Sequence, residues 1–373
     1  MKSPNIRYIP EIDHLRAYAA LLIFFYHGVH LFSYHQRFHA PFTFDNWLQT
    51  GNLFFAVIVE GHTAVALFMV LSGFIFTYGS FGKQISYWRF ISNRFLRTYP
   101  LFLLLIFVGI YSFPNRFSFS AFLQTLLGLA NVTGSLDLGS FSAMFWPIAV
   151  EWHFYLIFPF LLAFVHSYGW RYLIGLIAVC ITFRILAYAE GANIRDLSYW
   201  TIAGRIDQFL VGMLTGVVFQ RHKMKQNAAM LNLLLLIAIL IVSLFVFHSL
   251  GGWPDNSFFK ILWPTYEGIV WGAIIFLYIK SSIPFPKEIA NAIIFVGTIS
   301  YSFYLIHFVI ITTLIRREVY VHLSDSPNIN SLLTTVFFAL PITIVISMLT
   351  YTFVEKPFLS LRLKYLQRNT PLP

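Results

Sequence analysis

Ten apolar stretches along the chain are close to the length that an α-helix needs to cross a lipid bilayer. The hydrocarbon core takes about 20 consecutive apolar residues in helical form. The stretches lie at 14–33, 61–80, 98–113, 145–165, 171–189, 203–220, 228–248, 261–279, 291–315 and 331–353. The third is short, and residues 118–133 could add a re-entrant or interfacial helix. The sequence therefore predicts an all-α polytopic membrane protein with about ten transmembrane helices. We expect 1–373 to form a single membrane domain (core about 9–360) with no fused soluble domain.

The composition favours a surface that faces lipid. Charged residues make up only 11% of the chain and hydrophobic residues 58%, whereas a soluble domain carries about 25% charged residues. The formal charge of +10 does not indicate nucleic-acid binding. The basic residues lie in short loops between apolar stretches, and no segment resembles a nucleic-acid-binding module. A single cysteine, Cys180, excludes a disulfide framework and a cysteine-based metal site. No other residues show a metal-ligand spacing, so we expect no metal.

The distribution of Lys and Arg predicts the orientation, because cytoplasmic loops are enriched in both. With the N-terminus inside, 17 of the 25 lie on the inner side: Lys2, Arg7, Arg16, Lys83, Arg89, Arg94, Arg97, Arg171, Arg221, Lys223, Lys225, Lys280, Lys287, Lys356, Arg362, Lys364 and Arg368. Six lie on the outer side, namely Arg37, Arg116, Arg195, Lys260, Arg316 and Arg317, while Arg184 and Arg205 fall within spans. This asymmetry predicts that both termini are cytoplasmic.

The first apolar stretch contains ionisable residues that are costly inside a membrane. Arg16 and His27 are 11 residues apart, so they lie on nearly the same helix face, about 16 Å apart along the axis. Asp13, one turn before Arg16, could form an ion pair with it. One interpretation is an arginine that anchors the helix and a hydrogen-bonded core histidine. The other is a polar channel that leads to a mid-membrane histidine acting as a general base.

Other spans carry further ionisable residues. Glu151 is predicted near the outer face, and Arg205 and Asp207 need separate partners because they are two residues apart. His307 lies mid-helix, and Glu355 closes the last span. Each residue alone is more typical of a structural contact than of catalysis, but the set is larger than structural ion pairs require. Secondary site candidates are therefore His307, Arg205 and Asp207.

Arg94 and Arg97 lie one helical turn apart in the loop after the second span. Arginine matches the geometry of phosphate oxygens. The two residues are equally consistent with a phosphate site and with ordinary anchoring to anionic lipid.

Six motifs occur in order from about residue 9 to 360. They are arginine–ten residues–histidine (Arg16, His27) preceded by Asp13, LFMVLSGFIF at 67–76, R-x-x-R-x-x-P (Arg94, Arg97, Pro100), the segment 146–156 with Glu151, G-x-I-S-Y-S-x-Y-L-x-H at 297–307, and FVEKP at 353–357. In this set and order the chain resembles acyltransferase family 3, integral membrane O-acyltransferases that modify extracytoplasmic glycans. It departs from the family pattern at Ala64, Ala66 and Trp152, which could mark a subgroup with a different acceptor.

The resemblance implies transfer of an acyl group, usually acetyl, from cytoplasmic acyl-coenzyme A to a hydroxyl of a glycan or lipid-linked saccharide. It implies a multi-pass protein of the bacterial inner membrane, with membrane lipid as its surroundings and no permanently bound cofactor. His27, Arg16, Glu355, Glu151 and Asp13 are then the catalytic candidates. Arg94, Arg97 and Arg16 are the candidates for binding the donor, and the oligomeric state is not predicted.

Two other functions are compatible with the same residues. The chain could be a transporter that flips a lipid-linked glycan through its charged spans, although no internal symmetry typical of transporters is present. It could also be a non-catalytic scaffold of a polysaccharide-synthesis complex. Loss of His27 would separate these functions from acyl transfer.

Overall fold

A computed structural model describes residues 4–367, and almost all regular structure in them is helical. Every apolar stretch predicted to span the membrane coincides, to within two residues, with a helix or with a run of consecutive helices. The helices are α1 (Pro10–Phe38), α2 (Leu53–Val59), α3 (Thr63–Ser80), α4 (Tyr87–Ser112), α5 (Phe119–Leu126), α6 (Trp146–Tyr168), α7 (Arg171–Ala189), α8 (Ile194–Trp200), α9 (Ile202–Arg221), α10 (Gln226–Ser249), α11 (Trp263–Ser281), α12 (Lys287–Thr298), α13 (Ser300–Arg316), α14 (Pro327–Thr334), α15 (Leu340–Thr350) and α16 (Lys356–Ser360). Single 3₁₀ turns lie at Phe44–Asn46, Pro114–Arg116, Gly139–Phe141 and Phe258–Ile261.

Within residues 4–367, eight helices are long and apolar enough to cross a membrane, or nine if the bent pair α12–α13 is one span. The 19-residue α11 is the other predicted span. Its Pro264, Glu267 and aromatic residues lower its mean hydropathy, and it packs inside the bundle against α3, α9 and α10. The molecule is therefore a polytopic helical membrane protein. The count of ten spans and the cytoplasmic location of the termini stay predictions.

Two of the predicted spans have different shapes in the structure. The short third stretch is the second half of α4, a helix of 26 residues whose first half carries Arg94 and Arg97. A search for apolar runs found only the second half of α4, because the first half is polar. The stretch 291–315 is not one straight helix, because α12 and α13 meet at an angle of 72°. The close approach of α12 to α1, with Gly297 against the backbone of Asp13, fixes this bend.

Helices α3 and α9 pack closely because each presents glycine to the other. A methyl group at Gly73 would lie 2.1 Å from the carbonyl oxygen of Phe209, and one at Gly212 would lie 2.1 Å from that of Val70. Contacts of this kind are typical of membrane helices, whose association depends on packing of small residues. The pair forms a rigid centre against which α1, α6 and α11 pack.

The two described ends of the chain lie side by side. Strands β1 (Gln84–Ile85) and β2 (Leu366–Gln367) form an antiparallel pair, and the side chain of Asn5 accepts a hydrogen bond from the backbone N–H of Tyr365 at 2.7 Å. The N-terminal segment, the α3–α4 loop and the C-terminal segment therefore meet at one end of the bundle. Of the basic residues counted for the orientation, Lys2 and Arg368 lie outside the described residues.

The last predicted span is a continuous run of helical residues in which α-helical segments alternate with π-helical turns. Helices α14, α15 and α16 are joined by π-helical turns at Thr335–Ala339 and Tyr351–Glu355. Such turns are rare in proteins, and those that occur are often found at functional sites. The second turn carries Glu355 and points its carboxylate into the bundle, where the side chain is 1% exposed.

Candidate active site

A cavity of about 500 Å³ opens at the end of the bundle where residues 4–9 and 361–367 lie, and it carries five arginines. Its wall is formed by the N-terminal segment, the start of α1, α3, α4, α6, the α12–α13 bend and the residues after α16. The ionisable residues that line it are Arg7, Asp13, Arg16, Arg94, Arg97, Glu151 and Arg362. We call it the basic cavity. Five of the predicted site residues therefore share one cavity, since Asp13, Arg16, Arg94, Arg97 and Glu151 all line it.

Two of the arginines are held by carboxylates. Arg16 donates to Asp13 at 3.0 Å, which is the ion pair that their spacing makes available. Arg97 donates to Glu355 at 2.8 Å, and Glu355 also accepts from the hydroxyl of Ser302. Glu355 does not line the cavity, so its contact with Arg97 orients the guanidinium that does. A catalytic role for Glu355 stays a prediction.

Arg94 and Arg362 form no ion pair with any carboxylate in the described part of the chain. Arg94 lies over the rings of Phe76, Phe90 and Tyr155, with its guanidinium carbon 4.8 Å from the centre of the Phe76 ring. Its Nε atom is buried without a hydrogen-bond partner. A charged group with unfilled donors in a cavity is a candidate for binding an anion.

Arg362 is a residue of this site that the sequence motifs do not include. Burial lowers the pKa of its guanidinium to about 10, and the positive charges of Arg94 and Arg97 act in the same direction. The group is still protonated at neutral pH. The charged form of Arg362 is therefore destabilised by burial and by its arginine neighbours, and a bound anion would stabilise it. The only sequence signal was its position in a short basic tail after the last span.

Glu151 lies in the second turn of α6, which begins at Trp146. Its carboxylate accepts a hydrogen bond of 2.6 Å from Ser72 and lines the basic cavity. Its location near the outer face stays a prediction.

A second cavity, of about 230 Å³, has a wall in which aromatic residues are the majority. Its aromatic lining is Tyr26, Phe42, Phe44, Trp146, Tyr199, Trp200, Trp253, Tyr304 and Phe308, and His27 and His30 lie among them. We call it the aromatic cavity. Several of these residues come from connections at the far end of α1, including the segment after α1 and the loop before α11. This cavity therefore lies towards the end of the bundle opposite the paired strands β1 and β2.

His27 is paired with His307 on the wall of the aromatic cavity. The Nδ1 atom of His27 lies 2.8 Å from Nε2 of His307. The Nδ1 atom of His307 lies 3.2 Å from the carbonyl oxygen of Phe303, which can only accept. Since Nδ1 of a neutral His307 must carry the proton, its Nε2 accepts from Nδ1–H of His27. This inferred tautomer leaves a lone pair on Nε2 of His27, and the ring also hydrogen-bonds the backbone of Ile23.

The two cavities meet at Val65 and Tyr304, which line both of them. Tyr304 is one turn before His307 on α13, and the two rings lie 5.7 Å apart. His27 and His307 are stacked with their centres 5.1 Å apart. The two cavities are therefore adjacent at Tyr304, and His27 lies on the side of the aromatic cavity.

Arg205 and Asp207, predicted as secondary candidates, line neither cavity. Asp207 is fully buried in an ion pair of 2.7 Å with Arg184 of α7 and also accepts from Thr265 of α11. Arg205 donates to the backbone of Tyr199 and to Gln208, and its guanidinium carbon lies 4.3 Å from the centre of the Tyr199 ring. Each residue has its own partner, as their spacing requires, and both act in holding helices together. Arg205 does so directly behind the wall of the aromatic cavity.

A buried carboxylate that sequence reasoning did not single out supports the same wall. Glu60, between α2 and α3, accepts from His248 at 2.8 Å, from His62 at 3.0 Å and from the indole of Trp47 at 3.1 Å. Trp47 in turn packs on His30 and Tyr26. Among residues 4–367, no group of three or more His, Cys, Asp or Glu side chains is arranged to hold a metal ion. Through its hydrogen bonds Glu60 connects the segment after α1, the start of α3 and the end of α10.

Comparison with known proteins agrees with the motifs. The family model described as an acyltransferase domain matches residues 9–352, which is nearly the whole chain. The chain belongs to acyltransferase family 3. The match includes both halves of the site, from Asp13 and Arg16 to His307, and it ends just before Glu355.

Curated relatives of this family are distant. Acyltransferase MdmB of Streptomyces mycarofaciens is 24% identical over an alignment of 260 positions, which covers 63% of this chain and 64% of that protein. A Staphylococcus aureus (strain COL) protein provisionally named an O-acetyltransferase is 25% identical over an alignment of 399 positions, which covers 96% of this chain and 58% of that protein. The chain thus spans about three-fifths of the length of the curated relatives it matches. No solved structure shows a significant match to it.

Proposed function

We propose that this protein is a membrane O-acyltransferase that moves an acyl group, typically acetyl, from acyl-coenzyme A to a hydroxyl of a sugar. The observation that carries the proposal is the meeting of two cavities of different chemistry at Tyr304, beside the paired His27 and His307. One cavity has the charge that a polyanionic donor needs. The other has the aromatic surface that a sugar ring needs. Family membership supports the reaction class.

The basic cavity is the proposed donor site. Coenzyme A carries a pyrophosphate and a 3′-phosphate, and arginine binds phosphate oxygens through two parallel N–H groups. Arg94 and Arg362 are free of carboxylate partners in the described chain, while Arg97 and Arg16 are oriented by Glu355 and Asp13. The volume of about 500 Å³ lies within the usual range for a ligand pocket. The phosphates would stay at the arginines while the pantetheine arm reaches past Ser72 and Glu151 towards Tyr304.

The aromatic cavity is the proposed acceptor site. At about 230 Å³ it is smaller than the cavities that enclose drug-sized ligands. It would hold one small group, such as a single sugar ring, while the rest of a glycan or lipid-linked saccharide stays outside. Aromatic rings such as Trp146 and Trp253 give such a ring an apolar surface on which to lie. The acceptor would enter from the end of the bundle opposite the paired strands β1 and β2.

The proposed chemistry uses the lone pair on Nε2 of His27. This atom takes the proton of the acceptor hydroxyl while the hydroxyl oxygen attacks the thioester carbonyl. The carbon–sulfur bond then breaks, the ester remains on the acceptor, and the proton on His27 passes to the coenzyme A sulfur. A route through a transient acyl group on His27 balances equally well. In both routes His307 holds the His27 ring and stabilises its protonated form.

The proposal includes the location of the reaction. With the termini in the cytoplasm, as the basic loops predict, the basic cavity opens to the side where thioester donors are made. The aromatic cavity opens to the side of extracytoplasmic glycans. The bacterial origin of the relatives agrees with a multi-pass protein of the bacterial inner membrane.

The test is release of coenzyme A by the purified protein in detergent, supplied with acetyl-coenzyme A and a panel of sugar acceptors. We expect acceptor-dependent release by the wild type and none by His27→Ala. The control is His222→Ala, because His222 is exposed and lies outside both cavities. Equal release by wild type and His27→Ala would overturn the role of His27. Silence of the wild type with acetyl and longer acyl donors would favour a transporter or a scaffold instead.

A further inference from the structure

Tyr304 is the one tyrosine of the described chain that lines both the basic and the aromatic cavity. The residue is 8% exposed, and its ring packs between Phe68 and His307. Its hydroxyl forms no hydrogen bond within residues 4–367, yet it is not among the sealed buried atoms that lack a partner. The hydroxyl is therefore held in a fixed place and open to the cavities.

Other buried tyrosines of the cavity walls have their hydroxyl groups in use or lie in one cavity alone. Tyr301, one turn earlier on α13, donates to the backbone carbonyl of Thr98 at 2.7 Å and lines only the basic cavity. Tyr199 and Tyr26 line only the aromatic cavity. A phenol that is rigid, open and located where two substrates meet has a hydrogen bond available for a reacting group.

We propose that the Tyr304 hydroxyl is a catalytic group that donates a hydrogen bond to the carbonyl oxygen of the thioester as that oxygen becomes negatively charged. This inference rests on the proposed acyltransferase function. When the acceptor oxygen bonds to the carbonyl carbon, the C=O π pair moves to the oxygen, and His27 takes the acceptor proton. The Tyr304 hydroxyl keeps its own proton and stabilises the oxyanion. When the carbonyl forms again, the carbon–sulfur pair leaves with the thiolate, which takes the proton from His27.

The position explains why the hydrogen bond from the Tyr304 hydroxyl would stabilise the transition state rather than strengthen the binding of acetyl-coenzyme A. A neutral carbonyl is a weaker acceptor than an oxyanion, so the hydrogen bond strengthens as the reaction proceeds. Removal of one donor of this kind costs about 10²–10³-fold in kcat. The donor phosphates are bound at the arginines of the basic cavity, so KM for acetyl-coenzyme A would change little.

Tyr304→Phe tests the proposal, because it removes the hydroxyl and keeps the ring contacts with Phe68 and His307. The control is Tyr278→Phe, which removes a phenol hydroxyl that contacts His14 at 2.9 Å outside both cavities. We expect Tyr304→Phe to lose about 10²-fold in kcat with KM for acetyl-coenzyme A within a few-fold, and Tyr278→Phe to stay close to the wild type. Both variants should keep the wild-type unfolding midpoint in detergent.

A second acyl donor distinguishes a catalytic role of Tyr304 from a structural one. Fluoroacetyl-coenzyme A forms a less basic oxyanion, which needs less stabilisation, so the defect of Tyr304→Phe should shrink with this donor. A wild-type kcat in Tyr304→Phe, or a defect of equal size with both donors, would overturn the assignment. An inactive wild type would instead overturn the proposed function on which it rests.

Discussion

At the scale of single residues, the behaviour of His27 depends on a hydrogen bond that a sequence does not display. The carbonyl of Phe303 fixes the proton on His307, and His307 fixes the proton on His27. Only then does Nε2 of His27 have a free lone pair. The arginine–histidine spacing identified His27, but its partner lies 280 positions away.

His307 provides a prediction at this scale. His307→Leu removes the acceptor for Nδ1–H of His27, so the ring loses its orientation and kcat should fall by roughly 10²-fold, the lower end of what a general base contributes. KM for the donor should change little. His307→Gln carries an oxygen that can accept the same hydrogen bond, and it should recover part of the rate. Steady-state kinetics of both variants make the comparison, and equal kcat values for Leu and Gln would contradict a positioning role.

Arg362 provides the second prediction. Arg362→Gln removes a charge that no carboxylate of residues 4–367 pairs with. A hydrogen bond to a charged group contributes about 1.5–3 kcal/mol, so KM for acetyl-coenzyme A should rise by roughly tenfold or more. The value of kcat should stay within a few-fold. Arg317→Gln, at an exposed position outside both cavities, is the control. A pure loss of kcat at unchanged KM would place Arg362 outside the donor site.

At the scale of secondary structure elements, hydrophobic runs located the helices but not their shapes or partners. The run at 98–113 was only half of α4, since arginines occupy its first half. The bend between α12 and α13 depends on Gly297 meeting the backbone of α1. Arg184 on the peripheral α7 turns inward to reach Asp207 on α9. Each of these features is a long-range contact, which the local pattern of one sequence does not encode.

The contact between α3 and α9 provides a prediction at this scale. Gly73→Ala and Gly212→Ala each place a methyl group 2.1 Å from a backbone oxygen of the other helix. Overpacking of this kind costs about 1–3 kcal/mol or more, so the unfolding midpoint in detergent should fall. Gly175→Ala is the matched control, since nothing lies within 4 Å of its added methyl group in the second turn of α7. Equal unfolding midpoints of all three variants would contradict a stabilising role for the close packing of α3 against α9.

At the scale of the whole molecule, the bundle brings together residues that the motifs listed separately. Asp13, Arg16, Arg94, Arg97 and Glu151 line one cavity, and His27 with His307 lies on the other. The motifs predicted most members of the site because they mark ionisable residues in apolar surroundings. They did not predict Arg362, the junction at Tyr304 or the aromatic wall. Aromatic residues serve lipid contact and sugar contact alike, so only their convergence in space distinguishes the two.

The central claim is that a donor from one side of the membrane meets an acceptor from the other beside His27. The most direct test uses proteoliposomes in which the side of the N-terminus is established by protease digestion of an N-terminal tag. Labelled acetyl-coenzyme A is placed on one side and a membrane-impermeant sugar acceptor on the other. We predict acetylated sugar only when acetyl-coenzyme A is on the side of the N-terminus and the sugar is opposite. Product formed only with both substrates on the same side would contradict the two-cavity account.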